Sequence, residues 1–256
     1  MLNEKQTQAV KYYGGINVKE YPLYLKDPNS YNMINSLLFP GVTTENARIK
    51  EGRYLNPNFL SHPKFLREYY SLLLSCFKPS NSEFITYRVE RLEDYNVMKK
   101  LNHLPSFIST SKNYFLNAYR NKIDLVLMIF HINKDTLIID FNKEIKKYEK
   151  KEEQEVLLKV GTKIKIFERN LNEEERKIKD LNNNEPKIIC DVYFELEKES
   201  ESIKNLIPKK IKMDSMLYIN DLNYHNINSK YIKSYLKYKK TIQEEIGIKY
   251  EENKIQ

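Results

Sequence analysis

Apolar positions follow a helical period through the first 80 residues and then switch to short β-branched and aromatic runs. Tyr31, Ile34, Leu37 and Leu38 in YNMINSLLF recur at 3.6-residue spacing, and Pro40-Gly41 stop the pattern. Pro63 to Phe77 (PKFLREYYSLLLSCF) predicts a second helix, with Pro79 beyond it. Segments 84–89, 105–109, 124–132, 136–141, 154–160, 162–169 and 187–196 are rich in Ile, Val, Phe and Tyr and short enough for strands. Asn133-Lys134-Asp135 and Gly161 act as turns between neighbouring segments, and such short links favour antiparallel pairing. The polar, Asn-rich stretch Asn170 to Pro186 reads as an exposed excursion.

After about residue 200 the strand character fades. Residues 201–256 hold 11 Lys against 7 Asp and Glu, so this tail supplies half of the net charge of +8. Tyr231, Tyr235 and Tyr238 fall on one side of a predicted helix there, beside Lys233, Lys237 and Lys240. The expected organisation is a main domain over residues 1–200, helical to about 80 with a β core over 83–198. A basic, helical extension over 201–256 completes it.

Composition narrows this picture only slightly. An apolar fraction of 41% and a charged fraction of 30% belong to a globular chain. The positive charge suits an anionic ligand, a nucleic acid or a membrane surface alike. Cys76 and Cys190 are too few for a disulfide framework and lack metal-ligand spacing, so buried free thiols are expected. The polar start MLNEKQTQAV has no apolar signal core, and the run LVLMIF is far short of the ~20 residues a spanning helix needs. A soluble protein of a reducing compartment is expected, without membrane insertion. His62, His103, His131 and His225 are scattered and no Gly-rich phosphate loop occurs, so neither a metal nor a Rossmann-type nucleotide site is expected.

Three short motifs carry chemistry. In FITYRV, alternation puts Phe84, Thr86 and Arg88 on one side of a strand and Ile85, Tyr87 and Val89 on the other. A guanidinium there presents paired donors that match phosphate oxygens. In SFISTS, Ser109 and Ser111 share one strand face and Thr110 takes the other, so a serine on the site face can fix a carboxylate rotamer. Glu153-Gln154-Glu155 opens the apolar run EVLLKV, and in an extended chain both carboxylates project from one face. Glu-x-Glu alone is unspecific, since 173/175, 195/197 and 197/199 repeat it. What sets 153/155 apart is its place at a strand entrance, about 40 residues behind Ser-Thr-Ser.

Arg, then Ser-Thr-Ser, then Glu-x-Glu in this order resembles the R-S-E class of arginine-specific mono-ADP-ribosyltransferases. Tyr31, Ile34, Asn35 and Leu38 resemble the helix that precedes that family's core, and Gly161-Thr162 its turn after the catalytic strand. The resemblance covers roughly residues 20 to 198. It implies an α+β fold, with N-terminal helices on a two-sheet, mostly antiparallel β core, and NAD as co-substrate. It further implies that Arg88 binds the NAD phosphates, with Val89 beside it where many relatives have glycine. Ser109 would hold Glu155, with Thr110 and Ser111 shaping the strand end. Glu155 would be the catalytic glutamate, and Glu153 would engage the acceptor arginine. Phe115 and Tyr119 compete for the nicotinamide-stacking position, and Tyr148 would contact the protein substrate. The implied partner is a protein with an accessible arginine, with nucleic acid not expected and a separate delivery or binding chain an option. The implied location is the cytoplasm or the interior of another cell. Two other readings stand beside this one: an NAD glycohydrolase on the same fold, and a non-catalytic nucleic-acid-binding module.

Overall fold

The computed structural model describes residues 2–16, 18, 31, 34, 35, 38, 63–113, 125–146, 148, 151–170, 172, 173, 186, 188–195, 211–213 and 250–252. The chain divides into two compact units, Phe77–Ser200 and a second formed by Leu2–Cys76 with Glu201–Gln256.

In the second unit, helix α1 (Glu4–Tyr13) starts at a reciprocal cap: Asn3 accepts from the Gln6 backbone while the Gln6 side chain accepts from Asn3 N–H. Its Tyr12 ring meets Tyr69 of helix α2 (Pro63–Leu74) edge-on at 5.4 Å. Tyr31, Ile34, Asn35 and Leu38 are helical, with Ile34 and Leu38 buried and Asn35 Nδ2 donating to the Tyr13 hydroxyl at 2.9 Å. Ile211–Met213 and Tyr250–Glu252 pair as parallel strands β9 and β10, so these six tail residues are extended rather than helical. The Tyr231, Tyr235 and Tyr238 face lies outside the described residues.

The first unit is built on strands β1 (Lys78–Pro79), β2 (Phe84–Arg91), β3 (Ile108–Ser111), β4 (Leu125–Ile132), β5 (Leu137–Asp140), β6 (Glu155–Leu158), β7 (Ile164–Arg169) and β8 (Ile188–Phe194). They form one eight-stranded sheet in the order β1-β5-β6-β3-β2-β4-β8-β7. All neighbours are antiparallel except β4 and β8, which run parallel. Hydrogen bonding thus gives a single mixed sheet where two were expected. Its halves, however, are joined at one register pair, Tyr87 opposite Ser111.

Continuous hydrophobicity explains why β4 is central. Leu125 to Phe130 are all buried, as a strand covered on both faces requires. Met128, Phe130 and Ile132 enter the main core with Val192 and Phe194 of β8 and Val156 and Leu158 of β6. Leu127 and Ile129 form a smaller cluster on the opposite face with Ile189, against which Tyr87 and Val89 pack.

Helix α3 (Leu92–Leu101), which the strand-rich reading of this region passes over, contributes Tyr95 and Met98 to the main core. Asn102 ends it in the left-handed region at φ 54°. Gly161, at φ 79°, makes the turn between β6 and β7, and its N–H bonds the Leu104 carbonyl at 2.9 Å. A four-residue helix α4 (Phe141–Glu144) is capped by Asp140. A 3₁₀ turn (Lys151–Glu153) leads into β6. Cys76 and Cys190 are free and buried.

Candidate active site

β3 and β6 bring the second and third motifs together. Ser109 stands opposite Leu157 and Ser111 opposite Glu155, so Ser109 and Glu155 are diagonal neighbours on one face. The Ser109 hydroxyl donates to Glu155 Oε1 at 2.6 Å. Thr110 faces the other way and its hydroxyl bonds the Val156 carbonyl at 2.9 Å. Ser111 is buried and donates to the Glu153 carbonyl. The alternation read from SFISTS therefore describes the geometry of β3.

Glu155 is buried at 8% exposure, and both of its oxygens are engaged. Tyr148, itself buried at 2%, donates its hydroxyl to Oε2 at 2.6 Å. Burial first, and then the neighbouring charge of Glu155 and the bond to it, push the Tyr148 hydroxyl well above its ordinary range. It stays a proton donor. The ring rests on Phe141 with centroids 5.3 Å apart. Tyr148 thus points inward at the carboxylate, whereas contact with a protein substrate requires an exposed side chain.

Glu153 departs from the expected geometry. It lies in the 3₁₀ turn, Gln154 takes a left-handed φ of 44°, and β6 begins only at Glu155. The two glutamates do not share a strand face, because the chain reverses its local twist between them. The two residues that follow β3 and one from α4 hold this turn: Lys112 N–H donates to the Gln154 carbonyl, Asn113 Nδ2 to the Glu152 carbonyl and Asn142 Nδ2 to the Lys151 carbonyl. Glu153 is half-buried, and among the described residues its carboxylate has no hydrogen-bond or ion-pair partner.

Arg88 sits on β2 opposite Met128. Because Tyr87 pairs with Ser111, alternation puts Tyr87 on the side of Ser109, Ser111 and Glu155, and Arg88 on the other. The guanidinium returns to β3 at the backbone, where Nη1 donates to the Ser109 carbonyl at 2.8 Å. Its Nε donates to Glu90 Oε2 at 2.6 Å. Glu90 is buried and also receives the Arg91 N–H. The sequence reading omitted Glu90, although Arg-x-Glu on a strand puts the two side chains on one face. Val89 packs on the Leu127 cluster. Phe115 and Tyr119 lie outside the described residues. At the far end of β3, Lys112 Nζ pairs with Asp140 Oδ2 at 2.6 Å.

Among the described residues no cluster of three His, Cys, Asp or Glu side chains has the geometry of a metal site. No described helix is long and apolar enough to cross a membrane.

No family model matches the sequence, and no curated protein matches it. Solved structures do. C3stau2 from S. aureus, solved with NAD, is 16% identical over 77% of this chain and 89% of that one, at a TM-score of 0.41. The enzymatic component C2-I of the C2-toxin from Clostridium botulinum is 15% identical over 77% of this chain and 44% of that one, also at 0.41. Exoenzyme S from Pseudomonas aeruginosa, in complex with human 14-3-3 protein beta, is 14% identical over 80% and 81%, at 0.43. Likenesses of this strength carry no weight for activity or acceptor, which have to stand on the site.

Proposed function

We propose that the protein is a mono-ADP-ribosyltransferase that transfers ADP-ribose from NAD to arginine side chains of a target protein and releases nicotinamide. The observation that carries the reading is the Glu155 carboxylate, buried and held at 2.6 Å by Ser109 and at 2.6 Å by Tyr148. Breaking the bond between ribose C1′ and nicotinamide builds positive charge on the sugar. A fixed carboxylate in a partly dry site stabilises that charge without having to reorganise. NAD serves as co-substrate, and no metal takes part in this account.

Arg88 is assigned to the diphosphate, with Val89 beside it and Thr110 and Ser111 setting the end of β3. Its Nε already bonds Glu90, so a phosphate oxygen has to share the guanidinium with that carboxylate. Glu153 is assigned to the acceptor. Its carboxylate is uncommitted among the described residues, and a planar guanidinium offers it two parallel N–H donors. Phe115 and Tyr119 remain the two assignments for the nicotinamide face.

Incubation with NAD and agmatine tests the reading. ADP-ribosyl-agmatine and nicotinamide are the expected products. Free ADP-ribose alone would make the protein an NAD glycohydrolase, and intact NAD would make it neither.

A further inference from the structure

We infer that Tyr148 is a positioning residue for Glu155, one that works as the second half of a two-donor clamp on the carboxylate; the inference rests on the reading of Glu155 as the catalytic glutamate. Ser109 comes from β3 and Tyr148 from the segment between α4 and the 3₁₀ turn, so the clamp closes from two directions. One donor leaves a carboxylate free to rotate about its last bond. Two donors on separate oxygens define its plane.

The hydroxyl suits this role because burial and the adjacent glutamate keep it protonated. The ring is held as well, since Phe141 packs against it and Tyr148 is 2% exposed. Other charged and titratable groups lie on the neighbouring elements. They are Glu153 in the 3₁₀ turn, the Arg88–Glu90 pair on β2, and the Lys112–Asp140 pair linking the ends of β3 and β5. The Glu155 carboxylate itself is bonded by the Ser109 and Tyr148 hydroxyls. A clamp of this kind favours the ionised carboxylate and lowers its basicity, which suits charge stabilisation rather than proton abstraction.

Tyr148→Phe removes the hydroxyl and keeps the ring against Phe141. The inference predicts that nicotinamide release falls about ten-fold in kcat, the loss of one charge-assisted hydrogen bond, with KM for NAD little changed. The acidic limb of the pH profile moves upward by about one unit, because a carboxylate that loses a donor is protonated more readily. A purely structural tyrosine predicts instead that Tyr148→Phe equals wild type in kcat and in pH profile, and that result overturns the inference. A second measurement does not depend on turnover. In protein labelled at glutamate carboxyls, the NMR signal that disappears in Glu155→Gln titrates at higher pH in Tyr148→Phe than in the wild type. Unchanged titration overturns the clamp even if the enzyme is active. Absence of NAD turnover together with a shifted titration sinks the transferase reading and leaves the clamp standing.

Discussion

Ser109 and Glu155 touch across a diagonal of the sheet. Ser109 is paired with Leu157, yet its hydroxyl reaches the Oε1 of a residue two positions earlier on β6 at 2.6 Å. Diagonal neighbours sit farther apart than directly opposite residues, and the long glutamate side chain closes the gap. The directly opposite serine, Ser111, holds the backbone of Glu153 instead. One short strand therefore addresses both glutamates of the motif, one through its side chain and one through its carbonyl.

Replacing Glu155 with Gln keeps the shape of the side chain and removes its charge. Transfer should fall by about a thousand-fold, the upper range for losing a preorganised electrostatic group. Thermal unfolding should change little, since the amide oxygen still accepts from one hydroxyl and the amide NH2 can donate to the other. Nicotinamide release at the wild-type rate would remove Glu155 from the site.

Glu153→Gln separates acceptor from donor chemistry. Transfer to agmatine should be lost while slow hydrolysis of NAD persists. Ser111→Ala should act in the same direction more weakly, because it releases the Glu153 carbonyl rather than its carboxylate. Equal loss of transfer and hydrolysis in both variants would show that Glu153 does not select the acceptor.

Arg88→Ala should raise KM for NAD by about ten-fold or more, and Arg88→Lys should recover little of it, because a point charge lacks the guanidinium fork. The single variant also strands the buried Glu90, which destabilises the fold independently of NAD. The double variant Arg88→Ala, Glu90→Gln leaves no such charge. A KM that returns to the wild-type value in the double variant would assign Arg88 to structure alone.

Away from the site, Asp191 offers a stability test. Burial raises its proton affinity, but hydrogen bonds from His131 at 2.7 Å and from Arg169 outweigh this and hold the carboxyl below its usual range. Its folded value lies below the unfolded value of about 3.9, so its contribution is present above that pH and is lost as pH falls through the folded value. Asp191→Asn should therefore destabilise by about 1–3 kcal/mol near neutrality, and the difference from wild type should shrink in acid. A difference that does not vary with pH would mean that the carboxylate's charge contributes nothing.

Strand positions were readable because their residues obey alternation. Phe84, Thr86 and Arg88 do share a face, as do Ser109 and Ser111, and the unbroken run from Leu125 to Phe130 marks the central strand. Local period fails where backbone conformation changes within a motif. Glu-Gln-Glu reads as extended, but a left-handed Gln154, which residue type alone does not signal, splits it between a turn and a strand. Helix α3 was passed over between its strand neighbours, although Leu92, Tyr95 and Met98 recur at helical spacing. The inward turn of Tyr148 was not legible. Nothing in KKYEKKEEQE distinguishes a tyrosine facing solvent from one facing Glu155, because the choice depends on how the chain packs the ring on Phe141 and where β3 brings Ser109 to the same carboxylate.

Mass spectrometry of a cell lysate treated with the protein and isotope-labelled NAD addresses the central claim most directly. The account predicts labelled ADP-ribose on arginine side chains, present with the wild type and absent with Glu155→Gln. Label confined to free ADP-ribose, label on another residue type, or equal labelling by the Glu155→Gln variant would contradict it.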